Sequence, residues 1–114
     1  MAGYRDKYWV RPENMEKFYV YALYDENGWP FYIGKGKGVR INNHMKPSSL
    51  KESCYKNHKI KFLLRTQGFV RREILSYFES KQAAYDAEEF LISQYGLSHR
   101  GGLLANVSKK STYV

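Results

Sequence analysis

FYVYALYDENGWPFYIGKGKGVRINNH, residues 18 to 44, is the stretch from which the rest of the chain is read. Two short runs rich in tyrosine and β-branched residues flank Asn27-Gly28, a basic glycine-rich segment follows, and Arg40 and His44 stand four residues apart. That order predicts strand, tight turn, strand, loop, helix. Asn-Gly suits a type I′ hairpin turn, which needs positive φ at both central residues. With those two as the turn, partners carry numbers summing to 55, so Tyr21 faces Gly34 and Leu23 faces Tyr32. Strand alternation then brings Tyr19, Tyr21 and Tyr32 out on one face, with Tyr21 and Tyr32 as diagonal neighbours beside a glycine. A strand glycine often marks the close approach of another group. Pro30 cannot donate to a ladder and predicts an edge position for the second strand.

The bulk composition sets the frame. A chain of 114 residues with a formal charge of +8 and an isoelectric point near 9.6 predicts one domain with a polyanionic partner, nucleic acid first among them. Eleven tyrosines and two tryptophans supply core, with stacking on bases as a second use. Cys54 is the only cysteine, which excludes an intrachain disulfide and favours a reducing, intracellular setting. No apolar run is long enough for a bilayer, and none resembles a signal peptide, so no membrane partner is expected. The organisation expected is an N-terminal arm (1–17), a folded domain (18–106) and a basic tail (107–114). In the arm, Tyr8, Trp9 and Val10 are expected to pack on the domain while Arg5, Lys7 and Arg11 form a solvated edge, with nucleic-acid contact as the alternative for these three.

Beyond the hairpin, Lys35-Gly36-Lys37-Gly38 lacks P-loop spacing but suits phosphate, with backbone N–H groups and ammonium groups beside a helix N-terminus. A helix over 38–45 would put Arg40 and His44 on one face. Pro47 ends it, and Ser49 with Glu52 predicts a capping box for a second helix running to Gln67, with Gly68 as its C-cap. Tyr55, His58, Phe62 and Leu63 are its expected apolar face, which makes His58 a core histidine. Cys54 and His58 are an i, i+4 pair, but two further zinc ligands are not evident. Residues 69–78 predict a third strand, with Arg71 and Arg72 open between exposed edge and nucleic-acid contact. Ser80 caps the last helix and Gly96 ends it. Its apolar stripe of Ala84, Ala87, Leu91, Ile92 and Tyr95 includes Glu88. A carboxylate there needs a partner: an arginine or a metal.

Tyr19-Val20-Tyr21, ten residues, then Tyr32-Ile33-Gly34 resembles the paired signature of the GIY-YIG nuclease family, with tyrosine in place of the usual first glycine. Lys35, Arg40 and His44 match the lysine, arginine and histidine that follow in that family, the arginine two residues nearer Gly34 than is typical. Glu88, Leu91, Ile92, Tyr95-Gly96 and Leu104-Ala105-Asn106 resemble the metal-binding helix and the asparagine segment, without the glycine pair often found next. The wording YIGKGKGVR…H is closest to branched-DNA-cutting members.

The resemblance implies an α+β fold, a small three-stranded sheet flanked by helices in the order β-β-α-α-β-α. It implies a metal-dependent DNA endonuclease with low sequence specificity or a preference for branched or flap DNA. Tyr21 is the expected general base, and Glu88 the ligand of one Mg²⁺ or Mn²⁺. Arg40 would neutralise the transition state, Tyr32 and Lys35 would assist at the phosphate, and His44 would support Tyr21. Lys35, Lys37, Arg40 and Asn106 would contact DNA, and Asn106 would also brace the metal site. No small-molecule cofactor is expected, and monomer and homodimer are both compatible. The alternative is a catalytically inactive, basic nucleic-acid-binding module of the same fold. An RNA-associated protein would call for an RNP-like aromatic motif, which is not evident.

Overall fold

In the computed structural model, which describes residues 8–97 and 102–106, the two tyrosine-rich runs form an antiparallel pair, β1 (Phe18–Tyr24) and β2 (Pro30–Lys37). Tyr21 faces Gly34 and Leu23 faces Tyr32, the register the turn signal implied. The turn itself is of another type. Among the described residues no residue other than glycine has positive φ, which removes the type I′ geometry at Asn27. Instead the Gly28 N–H donates to the Asp25 carbonyl at 3.1 Å and the Asp25 N–H donates to the Trp29 carbonyl at 2.8 Å. These bonds close a type I turn over Glu26 and Asn27, followed by Gly28 at φ 86°. Asp25 selects it, because its carboxylate accepts from the N–H groups of Asn27 and Trp29, both at 2.9 Å. The pairing axis moves by one residue at Tyr24 and Pro30 and is restored by a bulge that leaves Phe31 unpaired. The Phe31 carbonyl accepts from the Ala105 N–H at 2.6 Å instead.

β3 (Arg72–Phe78) pairs antiparallel with β1, giving the sheet order β2-β1-β3. β2 is thus an edge strand, as Pro30 required. The third strand begins three residues later than expected, after a connection in which Phe69 stacks on Tyr8 with ring centroids 5.6 Å apart.

Residues 38–45 are helical as expected, but as a 3₁₀ helix (Gly38–Met45) with no loop before it. Lys35-Gly36-Lys37 is the end of β2, paired with Val20, Tyr19 and Phe18, so the phosphate-cradling loop expected there does not form. Gly38, at φ 62°, makes the turn out of the strand. Tyr19, the departure from the family motif, fixes the helix: its hydroxyl donates to the Gly38 carbonyl at 2.6 Å and accepts from the Ile41 N–H at 3.0 Å.

After a second short 3₁₀ turn (Pro47–Leu50) comes α1 (Tyr55–Gln67), whose N-cap is Cys54. The Ser49–Glu52 capping box does not form. Instead the Asn57 amide donates to the carbonyls of Ser49 and Glu52, at 3.0 and 2.8 Å, folding that segment against the helix. The buried face of α1 is Asn57, Ile60 and Leu63, whereas Tyr55, His58 and Phe62 are exposed. His58 is therefore not a core histidine; it hydrogen-bonds Ser53 Oγ at 3.1 Å. Gly68 closes the helix in the left-handed conformation, and α2 (Lys81–Tyr95) is capped by Ser80 Oγ, which accepts from the Ala83 N–H.

The sheet is buried on both faces. Tyr19, Tyr21 and Leu23 pack with Ile41, Ile60 and Leu63 on one side. Val20, Ala22 and Ile33 pack against α2 through Ala84, Ala87, Leu91 and Ile92 on the other. Tyr95, expected in that stripe, is 38% exposed.

Arg71 and Arg72 separate sharply. Arg71 pairs with Glu73 at 2.8 Å, while Arg72 is fully buried, donating to Asn42 Oδ1 and the Val70 carbonyl at 3.0 Å each. The arm is tied to the same asparagine, since the Val10 N–H donates to Asn42 Oδ1 and Asn42 Nδ2 donates to the Val10 carbonyl. Trp9 remains exposed. Arg5, Lys7 and the basic tail lie outside the described residues.

Candidate active site

Alternation along both strands, with Tyr32 two residues from the Gly34 that faces Tyr21, brings Tyr21 and Tyr32 together on the face covered by the 3₁₀ helix, with ring centroids 6.4 Å apart. Gly34, opposite Tyr21, makes this arrangement physically accessible: a Cβ there would lie 2.5 Å from both Cζ and Oη of Tyr21. The phenol thus rides over bare backbone at the edge strand. The 3₁₀ helix then delivers His44, whose Nε2 is 2.6 Å from Tyr21 Oη and whose ring meets Tyr32 edge-on at 4.8 Å. Gly36 serves the same packing, because a Cβ there would press on Tyr19 and on the Arg40 Cβ at 3.1 and 3.2 Å.

The electrostatics tie the remaining residues to this cluster. Burial pushes the Tyr21 phenol well above its usual range; Tyr32, Tyr19 and the Glu88 carboxylate add to the effect, and Arg40 opposes it. Tyr32 is pushed up to about 12, again by burial first and Glu88 next, with Arg40 opposing. Glu88 on α2 and Arg40 on the 3₁₀ helix therefore act on the same two phenols from opposite sides of the sheet. Lys35 shares the α2 side, since it pairs with Val20 and lies two residues from Ile33 on the same strand. Lys37 lies two residues on, exposed, with its ammonium 5.0 Å from the centre of the Phe18 ring. The cluster thus wraps the β2 edge, with Tyr21, Tyr32, His44 and Arg40 on one face and Lys35 and Glu88 on the other.

Asn106 stands behind the strand. Its Oδ1 accepts from the Ile33 N–H at 3.0 Å and its Nδ2 donates to the Ile33 carbonyl at 2.6 Å, so the buried amide completes the edge of β2 next to Gly34. Both amide atoms are engaged with backbone, a bracing arrangement rather than an outward-facing one.

Lys56 is the residue that sequence reading missed. It lies in the first turn of α1 with Nζ 3.1 Å from His44 Nδ1 and 5.6 Å from the centre of the Tyr32 ring. Burial, with Lys56, Arg40 and Arg72 as neighbouring positive charges, pulls His44 down to about 3, so its imidazole is neutral at neutral pH. Nothing in the spacing of Lys56 distinguishes it from the other lysines of the helix; only the packing of α1 against the 3₁₀ helix brings it to the site.

No group of three or more His, Cys, Asp or Glu side chains is placed to hold a metal among the described residues. The donor set is a single carboxylate, Glu88, beside phenols and cations. That set fits a hard, largely hydrated divalent cation, which is bound through one or two carboxylates and substrate phosphate. It does not fit a closed zinc cage.

A family model described as the GIY-YIG catalytic domain matches residues 17–100, most of the chain. No significant match was found among curated proteins or among solved structures.

Proposed function

Because the chain belongs to the GIY-YIG catalytic-domain family, a family of nucleases, we propose that it is a divalent-metal-dependent DNA endonuclease. It hydrolyses phosphodiester bonds with low sequence specificity or with a preference for branched and flap DNA. The observation that carries this reading is the Tyr21–His44 hydrogen bond of 2.6 Å beside Gly34, with Arg40 and Glu88 acting on the same phenol.

In this reading Tyr21 Oη orients the attacking water and receives its proton. Such a role needs positive charge nearby, because the buried phenol of the free protein is held protonated. Arg40 already favours the phenolate, and it is exposed, so its guanidinium faces the solvent from which a phosphate arrives. Glu88 would hold one Mg²⁺ or Mn²⁺, which when bound would polarise the phosphate and stabilise the departing 3′ oxygen. Lys35 and Tyr32 hold phosphate oxygens, Lys37 contacts the backbone beside them, and Asn106 keeps the β2 edge in register. The net charge of +8 supplies salt-sensitive, sequence-independent affinity.

The raised Tyr21 phenol is the observation that favours the second reading, a binding module without chemistry. Tyr21→Phe distinguishes the two. The nuclease reading expects cleavage of a labelled branched duplex to fall by at least roughly 100-fold while affinity for that duplex, measured by anisotropy, stays near wild type. Parallel loss of both would count against a catalytic Tyr21, and a wild type that binds but never cuts would favour the module.

A further inference from the structure

The contact between Lys56 and His44 fixes more than a distance. An ammonium has three donors and no acceptor, so at 3.1 Å from Lys56 Nζ the imidazole Nδ1 can only accept. A doubly protonated ring would oppose two donors across that contact. The single ring proton therefore sits on Nε2, and Nε2 is the atom 2.6 Å from Tyr21 Oη. His44 donates, and the Tyr21 oxygen accepts. The opposite tautomer, with Nδ1 protonated and the Nε2 lone pair facing the phenol, would make His44 the acceptor of the Tyr21 proton.

We propose that Lys56 is a positioning residue that locks His44 in its Nε2–H tautomer, so that His44 steadies the Tyr21 oxygen as a hydrogen-bond donor and cannot serve as the final proton acceptor. The chemical part of this rests on the nuclease reading above. For hydrolysis the Tyr21 phenol first gives its own proton to solvent, a loss that Arg40 favours. The phenolate then takes a proton from the water, the hydroxide oxygen so formed makes the new bond to phosphorus, and the bond to the 3′ oxygen breaks. Its electron pair leaves on that oxygen, which is protonated from solvent. The proton stays on Tyr21 until solvent removes it, because the Nε2 position of His44 is already filled. Lys56 is half-buried beneath the site, which lowers its pKa, while Cys54 and Glu52 act to hold the charge, and its ammonium also faces the Tyr32 ring at 5.6 Å. Arg40 and the fully buried Arg72 add two further positive charges acting on the same imidazole. The hydroxyl and the ring nitrogen that would exchange a proton in an ordinary Tyr–His relay are thus held in one direction by a lysine from another helix.

Histidine-selective ¹⁵N NMR on the free protein, without metal or DNA, reads the tautomer directly. Wild type is expected to show a pyridine-type Nδ1 and a pyrrole-type Nε2 for His44. Lys56→Met is expected to lose that pattern, moving the proton to Nδ1 or to both positions. Lys56→Arg, also a pure donor, is expected to keep it. Lys59→Met, which removes a charge one turn along the same helix, is expected to leave His44 unchanged. Single-turnover cleavage by Lys56→Met should fall by roughly 10-fold or more, the scale of a misdirected proton-transfer partner, with DNA affinity preserved and with activity restored in Lys56→Arg. A wild-type His44 protonated on Nδ1, or a Lys56→Met protein with an unchanged tautomer, overturns the assignment; so does a changed tautomer with unchanged cleavage. A protein with the expected tautomer pattern that never cuts DNA keeps the Lys56–His44 assignment and removes the nuclease reading, so the two fail separately.

Discussion

A methyl group at position 34 would stand 2.5 Å from Cζ and Oη of Tyr21, closer than van der Waals contact allows. The ring cannot simply swing away, because Tyr21 is 97% buried, between Tyr19, Tyr32 and His44. Gly34→Ala is therefore expected to displace the Tyr21 hydroxyl from His44 at a stability cost of about 1–3 kcal/mol, and to reduce cleavage by at least roughly 100-fold. Urea unfolding and single-turnover cleavage check the two halves separately; a variant that cuts normally would show that the contact does not place the hydroxyl. At this scale the sequence was informative where one backbone register decided the outcome. Tyr21 against Gly34 followed from centring the turn on Asn27-Gly28, and it holds although the turn is of another type because the bulge at Phe31 restores the register. Lys56 and Arg72 did not, because each depends on packing between elements distant in the chain, and an isolated lysine or arginine carries no mark of it. Asn106 was legible as an important position, but its attachment to the Ile33 backbone was not, since the bond joins residues 73 apart.

The elements show why a family motif can lose its first glycine. Tyr19 spends both hydrogen-bonding capacities of its hydroxyl on the 3₁₀ helix, one on the Gly38 carbonyl and one on the Ile41 N–H. Tyr19→Phe removes both bonds, and a cost of about 1–3 kcal/mol is expected. Because the helix carries Arg40 and His44, cleavage should weaken beyond what the fraction unfolded explains. Chemical denaturation alongside rate measurements at a temperature where the variant stays folded tests this. Helix and strand types were readable over most of the chain, and the ends of α2 were anticipated by Ser80 and Gly96. Two features were not. Asp25 overrode the Asn-Gly preference by capturing two N–H groups, and the Asn57 amide replaced the Ser49–Glu52 box. In each case one polar side chain offered the backbone a better local partner than the motif predicted. The face of α1 was misread for a related reason: Asn57 is buried because it serves those carbonyls, which rotates the aromatic residues outward.

At the scale of the whole molecule, a sheet buried on both faces lets two helices approach one edge strand from opposite sides, and the candidate site exists only where they meet. That assembly makes the fold sensitive to acid in a particular way. His44 is pulled down to about 3 from an ordinary value of 6.5. Between those values the unfolded chain binds a proton that the folded chain does not, so stability falls as pH drops through that window, by up to about 1.4 kcal/mol per pH unit. His44→Gln removes this group, and the loss of stability between about pH 6.5 and pH 4 is expected to be shallower than in wild type. Equal slopes would mean that other groups govern the acid transition. Charge also belongs to this scale: a basic chain whose site opens at an edge strand suits an extended polyanion lying along that edge. The most direct measurement of the central claim is cleavage of supercoiled plasmid and of a labelled branched duplex by wild type and Glu88→Ala, each with Mg²⁺ and with EDTA. Cutting by wild type with Mg²⁺ alone, absent in EDTA and in Glu88→Ala, is the predicted result; cutting that survives either the chelator or the loss of Glu88 would contradict it.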